Sequence, residues 1–209
     1  MNERKNSLEG KVVLITGAGK GIGSIIAREL SAHGVSLAIN DLTPINLDEV
    51  ESDIQQKGGN VRTFIVDVSK KIPIQSLVNA VQDDYGHIDI LVHCARVRPK
   101  TPLLDMDDWD WQRTMDVNLT GAFLTLQSVG RVMRAQGGGQ MILVGPQDTN
   151  EIDFGAYKIS LAALHQLSIQ AAAEFEQYGI QVVWIDQKDG MDQAVDRVLA
   201  ACVQTGQEE

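Results

Sequence analysis

The sequence predicts an α/β fold, a doubly wound and mostly parallel sheet of about six strands with helices on both faces. Three observations predict it: short runs rich in Val and Ile, helical patterns between them, and a glycine-rich loop joining the first run to the first helix. The runs cover residues 12–15, 35–39, 61–66, 88–92, 141–144 and 180–185. Their apolarity is nearly continuous rather than alternating, which fits strands covered on both faces.

The intervening segments carry apolar residues at spacings of three and four. Leu47, Val50 and Ile54 form one such stripe, and Ile74, Leu77, Val78 and Val81 another. Met191, Ala194, Val195, Val198 and Leu199 form a third. Regular alternation of strand and helix implies right-handed crossovers. Two longer helices are expected at 107–135 and 155–178, separated by Gly137-Gly138-Gly139 and a strand. The second contains Ala171, Ala172 and Ala173, small residues that either pack on their own sheet or admit a partner helix. A homodimer through these two helices is the expected assembly.

The chain of 209 residues, 44% apolar and 22% charged, fits one domain over 1–209, with 1–8 and 204–209 as flexible ends. A formal charge of −10 argues against nucleic acid or an anionic membrane surface as partner, because phosphates require clustered Lys and Arg. Cys94 and Cys202 lack the spacing of a disulfide framework or a zinc site, so no metal is expected and a reducing compartment fits. The first ten residues are charged, and no apolar run reaches the roughly 18 residues of a spanning helix. No signal peptide or anchor is expected, and the expected location is the cytoplasm.

The first strand runs into Thr16-Gly17-Ala18-Gly19-Lys20-Gly21-Ile22-Gly23 and then a helical stretch. In that order, glycines permit a tight turn and close approach of backbone to a pyrophosphate, and the helix N-terminus supplies free N–H groups. The domain therefore reads as Rossmann-type and dinucleotide-binding. Asp41 ends the second strand 18 residues after Gly23 (41 − 23), the place of an acid on the adenosine ribose. A carboxylate there accepts from a free 2′-hydroxyl and repels a 2′-phosphate, so NAD is favoured over NADP. Alternatively Asp41 caps the loop that follows it, and Lys20 pulls toward NADP.

The 16–23 segment has the pattern T-G-x-x-x-G-x-G and resembles the short-chain dehydrogenases/reductases. The resemblance extends from about residue 8 to 185. It implies adenine contacts at Asp67 and Val68, a cofactor contact at Ala95, an active-site asparagine at Asn118 and a catalytic tyrosine at Tyr157. It also implies a nicotinamide cofactor and a small carbonyl or alcohol substrate.

Departures from the pattern mark a divergent, C-terminally shortened member. The family places a lysine four residues after its tyrosine, where this chain has Leu161. Ser160 is uncharged, and Lys158 points about 100° around the helix. A tyrosine without that lysine has a pKa of about 10 and is ionised in roughly one molecule per thousand at neutral pH. The family serine aligns with Pro146, and Thr149 is the nearest hydroxyl. Asn-Asn-Ala-Gly of the family is His93-Cys94-Ala95-Arg96 here, with Arg96 either crowding the nicotinamide half or gripping the pyrophosphate. His93 reads as a hydrogen-bonded core residue more readily than as a substitute acid/base, and Cys94 as a small buried hydrophobe. The segment 186–190 leads almost directly into the last helix, so the family's substrate lid and seventh strand are expected to be missing. The resemblance implies an oxidoreductase whose catalysis is weak or absent. The alternatives are an active NAD(H)-dependent enzyme using Tyr157 in a rearranged site, and a cofactor-free scaffold acting through a partner.

Overall fold

The computed structural model describes residues 8–145 and 152–204. Its strands are β1 (Val12–Thr16), β2 (Ser36–Asp41), β3 (Asn60–Ile65), β4 (Ile90–His93), β5 (Gly139–Val144) and β6 (Ile180–Ile185). They form one sheet in the order β3-β2-β1-β4-β5-β6, with every pairing parallel. Each expected run supplies one strand.

The helices are α1 (Gly21–Ser31), α2 (Pro44–Gln56), α3 (Lys71–Tyr85), α4 (Asp108–Met115), α5 (Gly121–Gln136), α6 (Gly155–Phe175) and α7 (Met191–Gln204). The period-two alternation of a strand sends neighbouring side chains to opposite faces. Val13, Ile15, Leu37, Ile39 and Val92 pack under α1, α2 and α7. Val12, Leu14, Leu91, Met141 and Leu143 pack under α3, α5 and α6. The stripes read from the sequence are the buried faces of α2 and α3. Each fully buried Leu or Ile contributes about 1.5–3 kcal/mol relative to exposure. Among the described residues, no helix is long and apolar enough to cross a membrane.

Two expectations are corrected. Leu8, assigned to a flexible end, is 1% exposed and belongs to the core beneath α1, with its carbonyl accepting from Lys11 N–H. The helix expected over 107–135 is not one α-helix, because a π turn, Asp116–Thr120, separates α4 from α5. Its wider ring inserts an extra residue and offsets the faces of the two helices. The side chain of Asn118 is buried in that turn, and Gly121, at its end, packs closely on Val68. The second long pattern is α6 followed by a 3₁₀ turn, Glu176–Tyr178.

β1 pairs with β2 on one side and β4 on the other, so the connections leave in opposite directions from this point. In open parallel sheets such a switch point opens a crevice at the strand C-termini, and ligands bind there.

Candidate active site

The crevice is a cleft of about 640 Å³, a volume usual for a small-molecule site. Its floor is the glycine loop. Gly17 has φ +67°, and a Cβ there would lie 2.6 Å from Ala95 Cα, so the loop rests directly on the end of β4. A Cβ at Gly23 would run into Gly17 O. α1 starts at Gly21 without a side-chain cap, and Gly21, Ile22 and Gly23 line the cleft. The first-turn amides are thereby left for an anionic ligand group.

Two of the loop residues expected to bind cofactor do not line the cleft. Thr16 is fully buried, and its hydroxyl shares a 2.9 Å hydrogen bond with His93 Nδ1. Gly19 is a spacer: its N–H donates to Asp41 Oδ2 at 3.0 Å, and a Cβ would meet that carboxylate at 2.9 Å. Gly17, Lys20, Gly21, Ile22 and Gly23 all line the cleft, as do Ala95, Asp41, Asp67 and Val68.

At the C-terminal end of β2, Asp41 ties the loop that follows it, one of its two expected roles. Its carboxylate faces the cleft while accepting from Gly19 N–H and, at 3.1 Å, from Thr43 N–H. Asp67 accepts from Ser69 N–H at 3.0 Å and Ser69 Oγ–H at 2.7 Å, and pairs with Arg113 at 3.4 Å. Burial acts to raise the Asp67 pKa, but these hydrogen bonds and the Arg113 charge outweigh it and hold the carboxyl below its ordinary value. Arg113 reaches the cleft from α4, which nothing in the sequence indicated. Asn40, fully buried, donates to the Phe64 and Val66 carbonyls at 2.9 and 3.0 Å.

At the other end the first turns of α6 bring Tyr157 to the cleft wall, 4% exposed. Asn118 does not join it there. It is 0% exposed; Oδ1 accepts from Val97 N–H at 2.8 Å, and Nδ2 donates to Val97 O at 3.0 Å and Ser160 Oγ at 2.9 Å. Its side chain clamps the segment after β4 onto α6. Ser160 completes the clamp by donating to Tyr157 O at 2.8 Å. Leu161 packs in the core beside Tyr157 and Leu164, and Lys158 is exposed. Pro146 and Thr149 lie outside the described residues.

Arg96 is held by three backbone carbonyls. Nε–H donates to Cys94 O at 3.2 Å, Nη1 to Gly145 O at 2.9 Å and Nη2 to Val144 O at 3.2 Å. The guanidinium thus bridges the carboxyl ends of β4 and β5 while lining the cleft. Gln187, after β6, donates to the same Gly145 carbonyl at 2.6 Å. Arg98 stacks on Phe154 and Tyr157, its Cζ 4.1 and 5.5 Å from the ring centroids.

His93 is a buried core residue. Burial, with a smaller contribution from Arg96, pushes its pKa down to about 3, so the ring is neutral and inaccessible as an acid/base. Burial likewise raises the Cys94 and Cys202 thiols to about 12, far from reactive thiolates. Among the described residues, no group of three or more His, Cys, Asp or Glu could hold a metal.

The short chain dehydrogenase family model matches residues 11–187. The chain is 31% identical over 176 residues to 2,3-dihydro-2,3-dihydroxybenzoate dehydrogenase of Bacillus subtilis, covering 83% of this chain and 67% of that one. It is 34% identical over 177 residues to D-threitol dehydrogenase of Mycolicibacterium smegmatis, covering 84% and 68%. Among solved structures, NAD+-bound xylitol dehydrogenase superimposes with a TM-score of 0.81 at 30% identity, over 86% of this chain and 70% of that one. A metagenomic short-chain oxidoreductase in complex with NADP gives 0.90 at 28% identity, over 97% and 95%. With the parallel sheet, glycine loop and tyrosine-bearing helix in place, this chain belongs to the short-chain dehydrogenase/reductase family of NAD(P)-binding oxidoreductases.

Proposed function

We propose that this chain binds an adenine dinucleotide, NAD(H) in preference to NADP(H), and that its oxidoreductase activity toward carbonyls or alcohols is weak or absent. The observation that carries the second part is the pairing of Leu161 in the core with Arg96 across the ends of β4 and β5. Where the family has a lysine beside its tyrosine, this helix offers the apolar Leu161, so no cation from that position assists Tyr157. A bound nicotinamide would supply or accept hydride. Tyr157 would hold a substrate oxygen by hydrogen bonding, and Asn118 and Ser160 would fix the wall on which Tyr157 stands.

The dinucleotide reading rests on a cradle that glycine Cβ atoms would fill, on first-turn amides of α1 at the cleft, and on Asp41 at its adenosine end. The Asp41 carboxylate supports NAD over a 2′-phosphorylated cofactor. A second reading, an active reductase using Tyr157 in a rearranged site, is favoured by the presence of that residue on the cleft wall.

A homodimer fits the groove of about 430 Å³ between α5 and α6, where Phe123, Gly130, Ala171 and Tyr178 meet. Two buried thiols without a disulfide fit a cytoplasmic location.

Calorimetric titration with NAD, NADH, NADP and NADPH, followed by a carbonyl panel on wild type and Tyr157→Phe, tests the proposal. NAD(H) binding with turnover near background is the expected result. Robust turnover abolished by Tyr157→Phe favours the active enzyme, and no binding of any of the four leaves a scaffold.

A further inference from the structure

Asp41, Asp67 and Arg113 at the β2 end of the cleft each have a polar or charged side-chain or backbone partner, and among the described residues Arg96 at the Tyr157 end has only neutral ones. Its three hydrogen bonds run to carbonyls, and among the described residues no carboxylate pairs with it. This is notable in a chain with 28 acidic residues against 18 basic ones. The two carboxylates lining the cleft, Asp41 and Asp67, are occupied with Gly19, Thr43, Ser69 and Arg113.

A guanidinium carries five N–H donors in a fixed fork. Three are spent on backbone carbonyls, which lock its orientation, and one on each Nη is left. Holding a half-buried cation without a counter-charge costs desolvation energy that an anionic ligand would offset. Arg98, stacked on Phe154 and Tyr157, lines the same end of the cleft.

We propose that the Tyr157 end of the cleft receives a ligand bearing a carboxylate or phosphate group, separate from the nucleotide's own pyrophosphate, with Arg96 as its anchor. The proposal rests on the reading of this cleft as the ligand site, and it deepens that reading by naming the class of second ligand. Arg96 is a binding residue in this scheme. Its fixed fork selects a planar or tetrahedral anion over an uncharged group of the same size.

The test titrates malonate, inorganic phosphate and malonamide, the uncharged counterpart of malonate, into the full chain with and without saturating NADH. Malonate or phosphate is expected to bind saturably, and malonamide not to bind. Arg96→Gln is expected to weaken the anion by roughly tenfold or more, and Arg96→Lys by less. NADH affinity is expected to fall by less than the anion's, because Arg96 anchors the anion and only neighbours the nucleotide's wall at Ala95. Failure of both anions to bind wild type, equal binding of malonamide, or anion affinity unchanged in Arg96→Gln overturns the proposal. If NADH displaces the anion competitively and Arg96→Gln weakens both alike, Arg96 serves the pyrophosphate and the second ligand is excluded. Should Arg96→Gln not fold, the malonate and malonamide contrast on wild type and the Arg96→Lys variant decide the matter. Absent NADH binding defeats the dinucleotide reading alone, since the titrations without nucleotide still read the anion site.

Discussion

The two ends of the cleft are built on different principles. The end formed by β1, α1 and β2 is a backbone device: glycines allow close approach, the first turn of α1 has no side-chain cap, and Asp41 ties the loop to itself. The Tyr157 end, formed where β4, β5 and α6 converge, is a side-chain device in which Arg96, Asn118, Ser160 and Tyr157 must meet from distant segments. The departures expected from the family pattern, Leu161 and Arg96, fall at this second end. A backbone device fails through any added atom, whereas side chains at the other end exchange for others while the sheet stands.

The sharpest way to break this comparison is Gly17→Ala. The added methyl must displace Ala95 backbone from a position with φ +67°, so a loss of about 3 kcal/mol is expected, together with loss of NADH binding. Urea unfolding measures the first as a lowered midpoint at unchanged slope, and a shift within error would show that the loop is not the rigid element described.

Asn118→Ala tests whether the other end also has a structural keystone. Losing bonds to Val97 N–H, Val97 O and Ser160 while burying the orphaned groups is expected to cost about 2–3 kcal/mol. Tyr157→Phe, keeping the ring, is expected to cost less than about 1 kcal/mol. Comparable costs for the two would place Tyr157 among the structural residues.

His93 lies where the ends meet, bonded to Thr16. Its folded pKa of about 3 lies below the ordinary 6.5. Below pH 6.5 the unfolded chain therefore takes a proton that the folded chain refuses. The stability is full above that pH and is lost as pH falls toward 3, at up to about 1.4 kcal/mol per pH unit. His93→Asn is expected to remove that slope from unfolding curves taken across the window, and an unchanged slope rejects the buried neutral ring.

The smallest effect is expected from Asp41→Asn, which retains an oxygen to accept from Gly19 N–H while removing the charge. Preference for NADH over NADPH is expected to fall by roughly tenfold, about 1.4 kcal/mol, with stability nearly unchanged. Unaltered preference in paired calorimetric titrations removes Asp41 from cofactor choice and leaves it as the loop's tie.

Much of this was readable along the chain. The strand positions, the buried stripes of α2 and α3, and the order of strand, glycine loop and helix follow from local periodicity, because burial on both faces and helical spacing leave their mark within one segment. The glycine loop was legible for the same reason. That Thr16 bonds to His93 and Gly19 to Asp41 was not legible, since a motif does not say which of its residues face inward.

What the sequence alone determined is the parallel sheet, the glycine loop and the position of Asp41 at the end of β2, all of them matters of residue type at short range. The tertiary structure decided the rest: the π turn that carries Asn118, the clamp of Asn118 on Val97 and Ser160, and the course of Arg96 across the ends of β4 and β5. Those bonds join residues 21 to 49 positions apart, and all but the one to Ser160 Oγ have backbone carbonyls or amides as partners, which nearly every residue carries. No pattern of side-chain types along a chain can announce a carbonyl; only folding brings it within reach of a guanidinium.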